Sequence, residues 1–484
     1  MAWQPVIGLE CHVQLKTRTK MFCGCPNGFG AEPNASVCPV CLGLPGSLPR
    51  TNQRAIEFAL RLGTALGCEI PDESVFARKN YFYPDMPKNY QVSQYDRPLC
   101  RGGELPLVVE GVRRAVKLTR IHCEEDAGKS FHPERRGDRR LSRVDYNRAG
   151  VPLLELVTEP VLESPGDCAA FLTALRRLVR WLGISDGDME KAQLRCDANV
   201  SLKRAGPGPL GVKTELKNLN SIKAVERGVA AEIERQRTVL EAGGRVTQAT
   251  LLYDADHDHL AVMRTKEQAH DYRYFPDPDL PVLRASAERR RAAAAAVPEL
   301  PWAREARFRE RYTLPAYDAA VLTESRELSD YFEACAPEGD AKLASNWVMT
   351  ELLGVLNDHG WSVPDWAERV PAARFRDFLA RVADRALPGP VAKQVFGWLP
   401  DEPGTVDELL ARHGVRVQSG EETLRPLVRA VIEEHPGPVA QVLAGREATF
   451  GFLVGQVMKK SGGQAVPQEV QRLLREELAA RART

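Results

Sequence analysis

Apolar and polar residues alternate strictly near the start of the chain. Ile7, Leu9, Cys11, Val13 and Leu15 fall on one side, and Gly8, Glu10, His12 and Gln14 on the other. A period of two predicts a strand buried on one face. The pattern returns from Arg195 to Lys203, where Cys196, Ala198, Val200 and Leu202 oppose Arg195, Asp197, Asn199, Ser201 and Lys203. It recurs in Val212, Thr214 and Leu216, which oppose Lys213, Glu215 and Lys217. The Gly/Pro stretch between these last two runs predicts an antiparallel pair. Val116 to Glu125 and the end of the segment Val144 to Thr158 also read as strands. The expectation is a sheet whose open face is a polar floor. Alternation alone marks any half-exposed sheet, so residue types must supply the chemistry.

Helical periods separate these runs. Thr51 to Gly67 is capped by Asn52, with Ile56, Ala59, Leu60, Gly63 and Leu66 on one face. Ser164 and Pro165 open a helix through Leu172, Leu175, Leu178, Val179 and Leu182 that Gly183 stops, and Ser221 opens another that ends at Gly243. Ala285 to Ala296 is rich in Arg and Ala and reads as a solvated helix or linker. Helical patterns then dominate, for example Leu343 to Leu356, and a last module ends in a helix opened by Pro467 with Val470, Leu473, Leu474 and Leu478 on one face. The fold class is α+β: a sheet domain over residues 1–290, a helical domain over 291–404 and a small helical tail over 405–484.

The 484 residues exceed one ordinary core. A net charge of +1 announces no nucleic-acid binding in bulk, although local basic clusters remain possible. No apolar run approaches the roughly 18 residues of a membrane span, and the N-terminus carries no targeting signal. A cytoplasmic protein is expected. The eleven cysteines fit a reducing compartment better than a disulfide framework. Four of them, Cys23, Cys25, Cys38 and Cys41, form two close pairs around a Gly/Pro/Asn loop. That arrangement predicts a closed, structural zinc site.

Glu10 and His12 project from the same strand face, a donor pair suited to a divalent metal. Glu124, Glu125 and Asp126 are consecutive, so Glu124 and Glu125 point to opposite faces of a regular strand, and only one of them is expected to bind metal. The segment Arg78 to Gln94 is dense in Tyr, Lys and Asn and locked by Pro84 and Pro87. Lys79 and Lys88 suit phosphates there, and rings such as that of Tyr81 suit a base. Met263 to Pro281 is a second polar, aromatic, proline-locked segment. The chain has no P-loop, no dinucleotide fingerprint and no nucleophile elbow. Any use of ATP must therefore run through a sheet floor with metal and lysines.

With these segments together, the chain resembles the GatB/GatE family, the B subunits of tRNA-dependent amidotransferases. The resemblance rests on Gly8-Leu-Glu-Cys-His-Val-Gln-Leu15, the two cysteine knuckles, Lys79-Asn-Tyr-Phe-Tyr-Pro-Asp85 and Glu124-Glu-Asp-Ala-Gly-Lys129. It extends to Asp145-Tyr-Asn-Arg-Ala-Gly-Val-Pro152, Arg195-Cys-Asp-Ala-Asn-Val-Ser201, Glu215-Leu-Lys-Asn-Leu-Asn-Ser221, Asp271-Tyr-Arg-Tyr-Phe-Pro-Asp277 and Gly455-Gln-Val-Met-Lys-Lys460. These run in family order over essentially the whole chain. There is no room for the inserted synthetase-like domain of the GatE branch, so the GatB branch is favoured. Val466 departs from the Asn usual in the family's tail.

The resemblance implies a cradle around an antiparallel sheet, a helical domain and a YqeY-like tail that holds tRNA. It implies a ligase that forms C–N bonds with glutamine as amide donor. ATP phosphorylates the side-chain carboxylate of Glu or Asp misattached to tRNA(Gln) or tRNA(Asn), and ammonia displaces the phosphate. Ammonia would arrive through a tunnel from a glutaminase A subunit, with a small C subunit clasping the pair, and Tyr81, Lys88 and Asp197 are candidates to line it. Glu10, His12, Glu125 and Glu215 are then expected to hold Mg²⁺, with Glu124 as a near alternative for Glu125. Lys79, Lys88 and Arg195 would stabilise phosphate charge, and Asp197 and Asn199 would position substrate or guide ammonia. A non-catalytic RNA-binding scaffold would not need Glu10, His12 and Glu215 on strand faces, and a free-standing kinase or ligase using free ammonia would not need the partner subunits.

Overall fold

The computed structural model describes residues 3–109, 111–131, 141–265, 271–336, 340–418 and 420–482. The part of the second proline-locked segment at 266–270 lies outside them. The chain forms two units, Met1–Trp302 and Ala303–Thr484.

The first unit is built on a nine-stranded sheet. Its central strand, Trp3–Gln14, lies antiparallel between Leu194–Arg204 and Pro152–Thr158. Beyond Pro152–Thr158 lies Val112–Glu125, and beyond Leu194–Arg204 lie Thr214–Lys217, Ala249–Asp254 and His259–Thr265. The alternation of the central strand is that of its burial. Ile7, Leu9, Cys11 and Val13 are buried, and Glu10, His12 and Gln14 line the other face. The buried face packs under Pro165–Trp181 and Ile222–Glu241, whose Leu172, Leu175, Val225 and Val229 join one core with Ile7 and Leu9.

Each helix end follows its capping chemistry. The Asn52 side chain accepts hydrogen bonds from the amides of Arg54 and Ala55 to open Gln53–Ala65, and Ser164 and Ser221 cap the other two helices. Gly67, Gly183 and Gly243 take positive φ just past the helix ends.

Two features depart from the expected pattern. The sheet is not wholly antiparallel, because Thr214–Lys217 and Ala249–Asp254 run parallel. The helix Ile222–Glu241 lies between them in the chain and supplies the crossover that a parallel pair requires. The continuous helix expected from Leu343 to Leu356 is interrupted by a π-helical turn at Val348–Leu352. Val348 and Leu352 are both fully buried, so the wider turn keeps two apolar side chains on the core.

The second unit is helical and holds two cores. One gathers Phe308, Phe332, Trp366, Phe375 and Phe378, and the other gathers Leu424, Val428, Leu453, Val470 and Leu474. Trp366 is fully buried, and its indole N–H donates to the Tyr331 hydroxyl at 2.8 Å, which in turn donates to the Val370 carbonyl at 2.8 Å. Trp366→Ala is expected to destabilise this unit by about 3–5 kcal/mol, read by far-UV circular dichroism in urea. In the smaller core Val466 sits at the N-cap of Pro467–Arg481 and offers no side-chain acceptor. In its first turn the Glu469 carboxylate accepts from the Gly420 amide at 2.7 Å, which ties the start of this helix to that of Glu421–Glu434. Among the described residues no helix is long and apolar enough to cross a membrane.

Candidate active site

Strand register decides which polar residues meet. His12 lies opposite Glu155 on one side and Arg195 on the other, and Glu155 lies opposite His122. Glu10 lies opposite Asp197, and Asn199 opposite Glu215. On the polar face these side chains form a continuous charged floor.

At its centre His12 Nε2 lies 3.4 Å from Glu124 Oε1, 3.4 Å from Glu155 Oε2 and 3.8 Å from Glu10 Oε1. Donor atoms of Glu10, His12 and Glu155 lie within 4.8 Å of one another, as do those of His122, Glu124 and Glu155. Burial disfavours charge on His12. The hydrogen bond to Glu155 and the charges of Glu124 and Glu155 outweigh it and push the imidazole up to about 9. Burial first, and the Glu155 charge second, push the Glu10 carboxyl above its usual range. Crowded carboxylates of this kind call for a cation. Oxygen donors with one imidazole fit a hard divalent ion. His122 Nδ1 accepts from Arg120 Nε at 3.4 Å, which turns its Nε2 toward Glu124 and Glu155 at 3.7 and 3.6 Å. At those distances the ring is an electrostatic neighbour of both carboxylates rather than a hydrogen-bond donor to them.

Glu124 and Glu125 divide as consecutive strand residues must. Glu124 also accepts from Ser93 Oγ at 3.2 Å, on the floor side. Glu125 turns the other way, where its carboxylate pairs with Lys88 and accepts from the Val92 amide at 3.0 Å. Of the expected ligand set, the structure brings together Glu10 and His12 with Glu124, and leaves out Glu125. Glu215 also stands apart: it pairs with Lys217 at 2.9 Å and accepts from Thr250 Oγ1 at 2.9 Å. Lys217 also holds Asp197 at 2.5 Å. The reason is lateral distance, since Thr214–Lys217 is two strands from the His12 strand and a neighbouring cation satisfies Glu215.

Glu155, which the sequence pattern did not single out, lies 3.4 Å from His12 Nε2 and 3.6 Å from His122 Nε2. A lone carboxylate in the apolar run Val151 to Val157 was the available signal, because a buried strand carries a charge only with partners. Asp126 is a second such carboxylate. It is buried, pairs with Arg195 at 3.0 Å and Arg148 at 3.6 Å, and accepts from Gln14 Nε2 at 2.9 Å. Burial opposes its ionisation, but the two guanidinium charges hold its carboxyl below the usual range.

One wall of the floor comes from the two proline-locked segments. Ala77–Asn80 pairs with Tyr90–Ser93 and with Phe275–Pro276. Lys79 Nζ sits 4.9 Å from the Tyr272 ring centre. Burial disfavours its charge, but Glu124 first, with Tyr274 and Glu155 behind it, keeps the ammonium more strongly protonated than usual. Tyr81, Tyr272 and Tyr274 form a chain of edge contacts, and Tyr95 stacks on Tyr274 at 4.4 Å. Burial, with the Glu124 charge behind it, pushes the Tyr81 hydroxyl up.

The four knuckle sulfurs also converge. Those of Cys23, Cys25, Cys38 and Cys41 lie within 4.8 Å of one another, and none is in a disulfide. A tetrahedral zinc with bonds near 2.3 Å sets them about 3.8 Å apart. The donor set therefore fits zinc. From Cys23 to Arg50 only Cys41 is buried, so apolar packing does not hold this segment.

Residues 5–290 match the family model described as the GatB/GatE catalytic domain, and residues 330–478 match the one described as the GatB domain. The chain is 47% identical over 481 residues to the B subunit of the aspartyl/glutamyl-tRNA(Asn/Gln) amidotransferase of Halorhodospira halophila, covering 99% of each chain. It is 47% identical over 479 residues to the same-named protein of Moorella thermoacetica and 45% identical over 482 residues to that of Nitrosococcus oceani, covering 99% of this chain and 100% of theirs in both cases. With a family model over more than half of its length and end-to-end similarity at this level, the chain belongs to the GatB/GatE family.

Proposed function

We propose that this chain is the B subunit of an aspartyl/glutamyl-tRNA amidotransferase and converts Glu-tRNA(Gln), Asp-tRNA(Asn) or both to the amide forms. The observation that carries the reading is the meeting of Glu10, His12, Glu124 and Glu155 beside Lys79 on the open face of the sheet.

The reaction brings two anions together. The side-chain carboxylate of the esterified amino acid attacks the γ-phosphorus of ATP, and ADP leaves. Ammonia then attacks the acyl carbon of the acyl phosphate, phosphate departs and a proton is lost. Glu10, His12, Glu124 and Glu155 would hold Mg²⁺, which when bound neutralises triphosphate charge. Lys79 is held protonated to meet phosphate oxygens, and Arg195, fixed by Asp126, adds its charge along the floor. Lys88 is tied to Glu125, so its charge acts through the loop it anchors. The tyrosines beside Lys79 offer faces for a base, and Asp197 and Asn199 lie along the floor where substrate or ammonia is positioned. Glutamine-derived ammonia would come from an A subunit clasped by a C subunit, through a tunnel that Tyr81, Lys88 and Asp197 help line. The four cysteines hold structural zinc. The larger helical core, which takes in Val406 and Leu409, supports a connecting domain, and the smaller one, which begins at Leu424, supports a tRNA-binding tail, so the two part beyond the boundary at 404 expected from the sequence. The working compartment is the cytoplasm, where tRNA is charged.

Reconstitution tests the reading. Purified chain with A and C subunits, ATP, Mg²⁺ and glutamine should amidate at least one of the two mischarged tRNAs. ATP consumption should depend on mischarged tRNA and vanish with correctly charged tRNA. No amidation of either substrate, with the partners shown active as a glutaminase, would refute it.

A further inference from the structure

Lys20 is a fully buried lysine, and no ion pair to a carboxylate holds it among the described residues. Its Nζ lies 3.7 Å from Cys41 Sγ and 3.3 Å from the Tyr146 carbonyl. A buried ammonium without an anion is costly by several kcal/mol. The negative groups nearby are the cysteine cluster and the Glu125 carboxylate, and Glu125 is already paired with Lys88. Four thiolates around one divalent ion carry a net charge of −2, and Cys41, the buried one of the four, is the sulfur that faces Lys20. Each charge accounts for the other.

The position of Lys20 also links the cluster to the charged floor. The Met21 amide donates to the Gly150 carbonyl at 2.7 Å, and the Gly150 amide to the Asp126 carbonyl at 2.9 Å. Gly150 adopts φ +88°, and a β-carbon there would stand 3.4 Å from Lys20 Cδ, 3.5 Å from Cys41 Cβ and 3.8 Å from Glu125 Oε2. On the other side of the knuckle, a β-carbon on Gly43 would stand 2.4 Å from Lys88 Cγ, so the knuckle backbone rests on the lysine that pairs with Glu125.

We propose that Lys20 is the counter-charge of the metal–thiolate cluster and the positioning residue that ties it to the loop 145–151 carrying the end of the floor. This rests on the cysteine cluster binding zinc. Lys20 acts through Cys41 and Tyr146, and it touches no substrate. The metal-bound knuckle is thereby a brace for Glu125, Asp126 and Lys88 as well as a local fold.

The test uses the full-length chain. Zinc content of the wild type is measured first, then the rate at which a chromogenic chelator removes it. Lys20→Met and Lys20→Gln should release zinc about 10- to 100-fold faster, whereas Lys20→Arg, which keeps the charge, should stay within about threefold of wild type. Thermal midpoints show whether each variant is folded. Amide hydrogen exchange of the wild type, with and without chelator, provides a readout that needs no variant: protection at Gly150 and Val151 should fall when zinc leaves. A wild type without zinc would sink the reading of the cluster. A zinc-bound wild type with folded Lys20→Met releasing metal at the same rate, or with exchange at 150–151 unchanged by chelation, would overturn the role of Lys20 alone.

Discussion

Glu124→Gln is expected to lower ATP-dependent amidation by about 10³-fold in the reconstituted complex while leaving the chain folded. The carboxylate is buried, 3.4 Å from His12 Nε2 and 3.7 Å from His122 Nε2, and Gln is nearly isosteric. The change removes one anion from a crowded group and keeps the acceptor for Ser93. Glu155→Gln should match it, because Glu155 touches both histidines. Glu215→Gln should cost far less, about tenfold, since Glu215 pairs with Lys217 away from the cluster. Direct binding of Mn²⁺, followed by electron paramagnetic resonance, should weaken with Glu124 and Glu155 substitutions and stay near wild type with Glu215→Gln. The reverse order, with Glu215 dominant and Glu124 silent, would return the cation to the ligand set expected from the motifs alone.

Removing the zinc is expected to have the next largest effect. Chelation, or Cys38→Ser, should lower the thermal midpoint by about 10 °C or more and abolish amidation, measured by differential scanning calorimetry and by activity before and after zinc is restored. The segment Cys23 to Arg50 buries one residue, so little else orders it. Its collapse removes the wall that rests on Lys88 through Gly43. An unchanged midpoint after verified metal removal would mean that the loop is held by backbone hydrogen bonds such as Arg50 N–H to the Phe22 carbonyl at 2.9 Å.

The chain by itself determined the elements and the chemistry in them. Period two placed Glu10 and His12 on one face and Ile7, Leu9 and Cys11 on the other, because side chains alternate across a strand whatever lies beside it. Capping residues marked the helix starts at Asn52, Ser164 and Ser221 for the same local reason. The cysteine pairs announced a metal knuckle through their spacing. The alternation rule also required Glu124 and Glu125 to part company, but it could not say which faced the floor.

Tertiary structure decided the partners. Which residue lies opposite His12 depends on register and strand order, and neither is written in any single strand. Register brought in Glu155 and His122 from neighbouring strands and set Glu215 beside Lys217 instead. The parallel pairing of Thr214–Lys217 with Ala249–Asp254 and the wide helical turn at Val348–Leu352 were likewise settled by packing. Lys20 belongs to the same class: as one lysine in a polar stretch it carried no signal, and only the approach of Cys41 and Tyr146 gives its charge a purpose. Local sequence specifies which way a side chain points, but long-range pairing specifies what it points at.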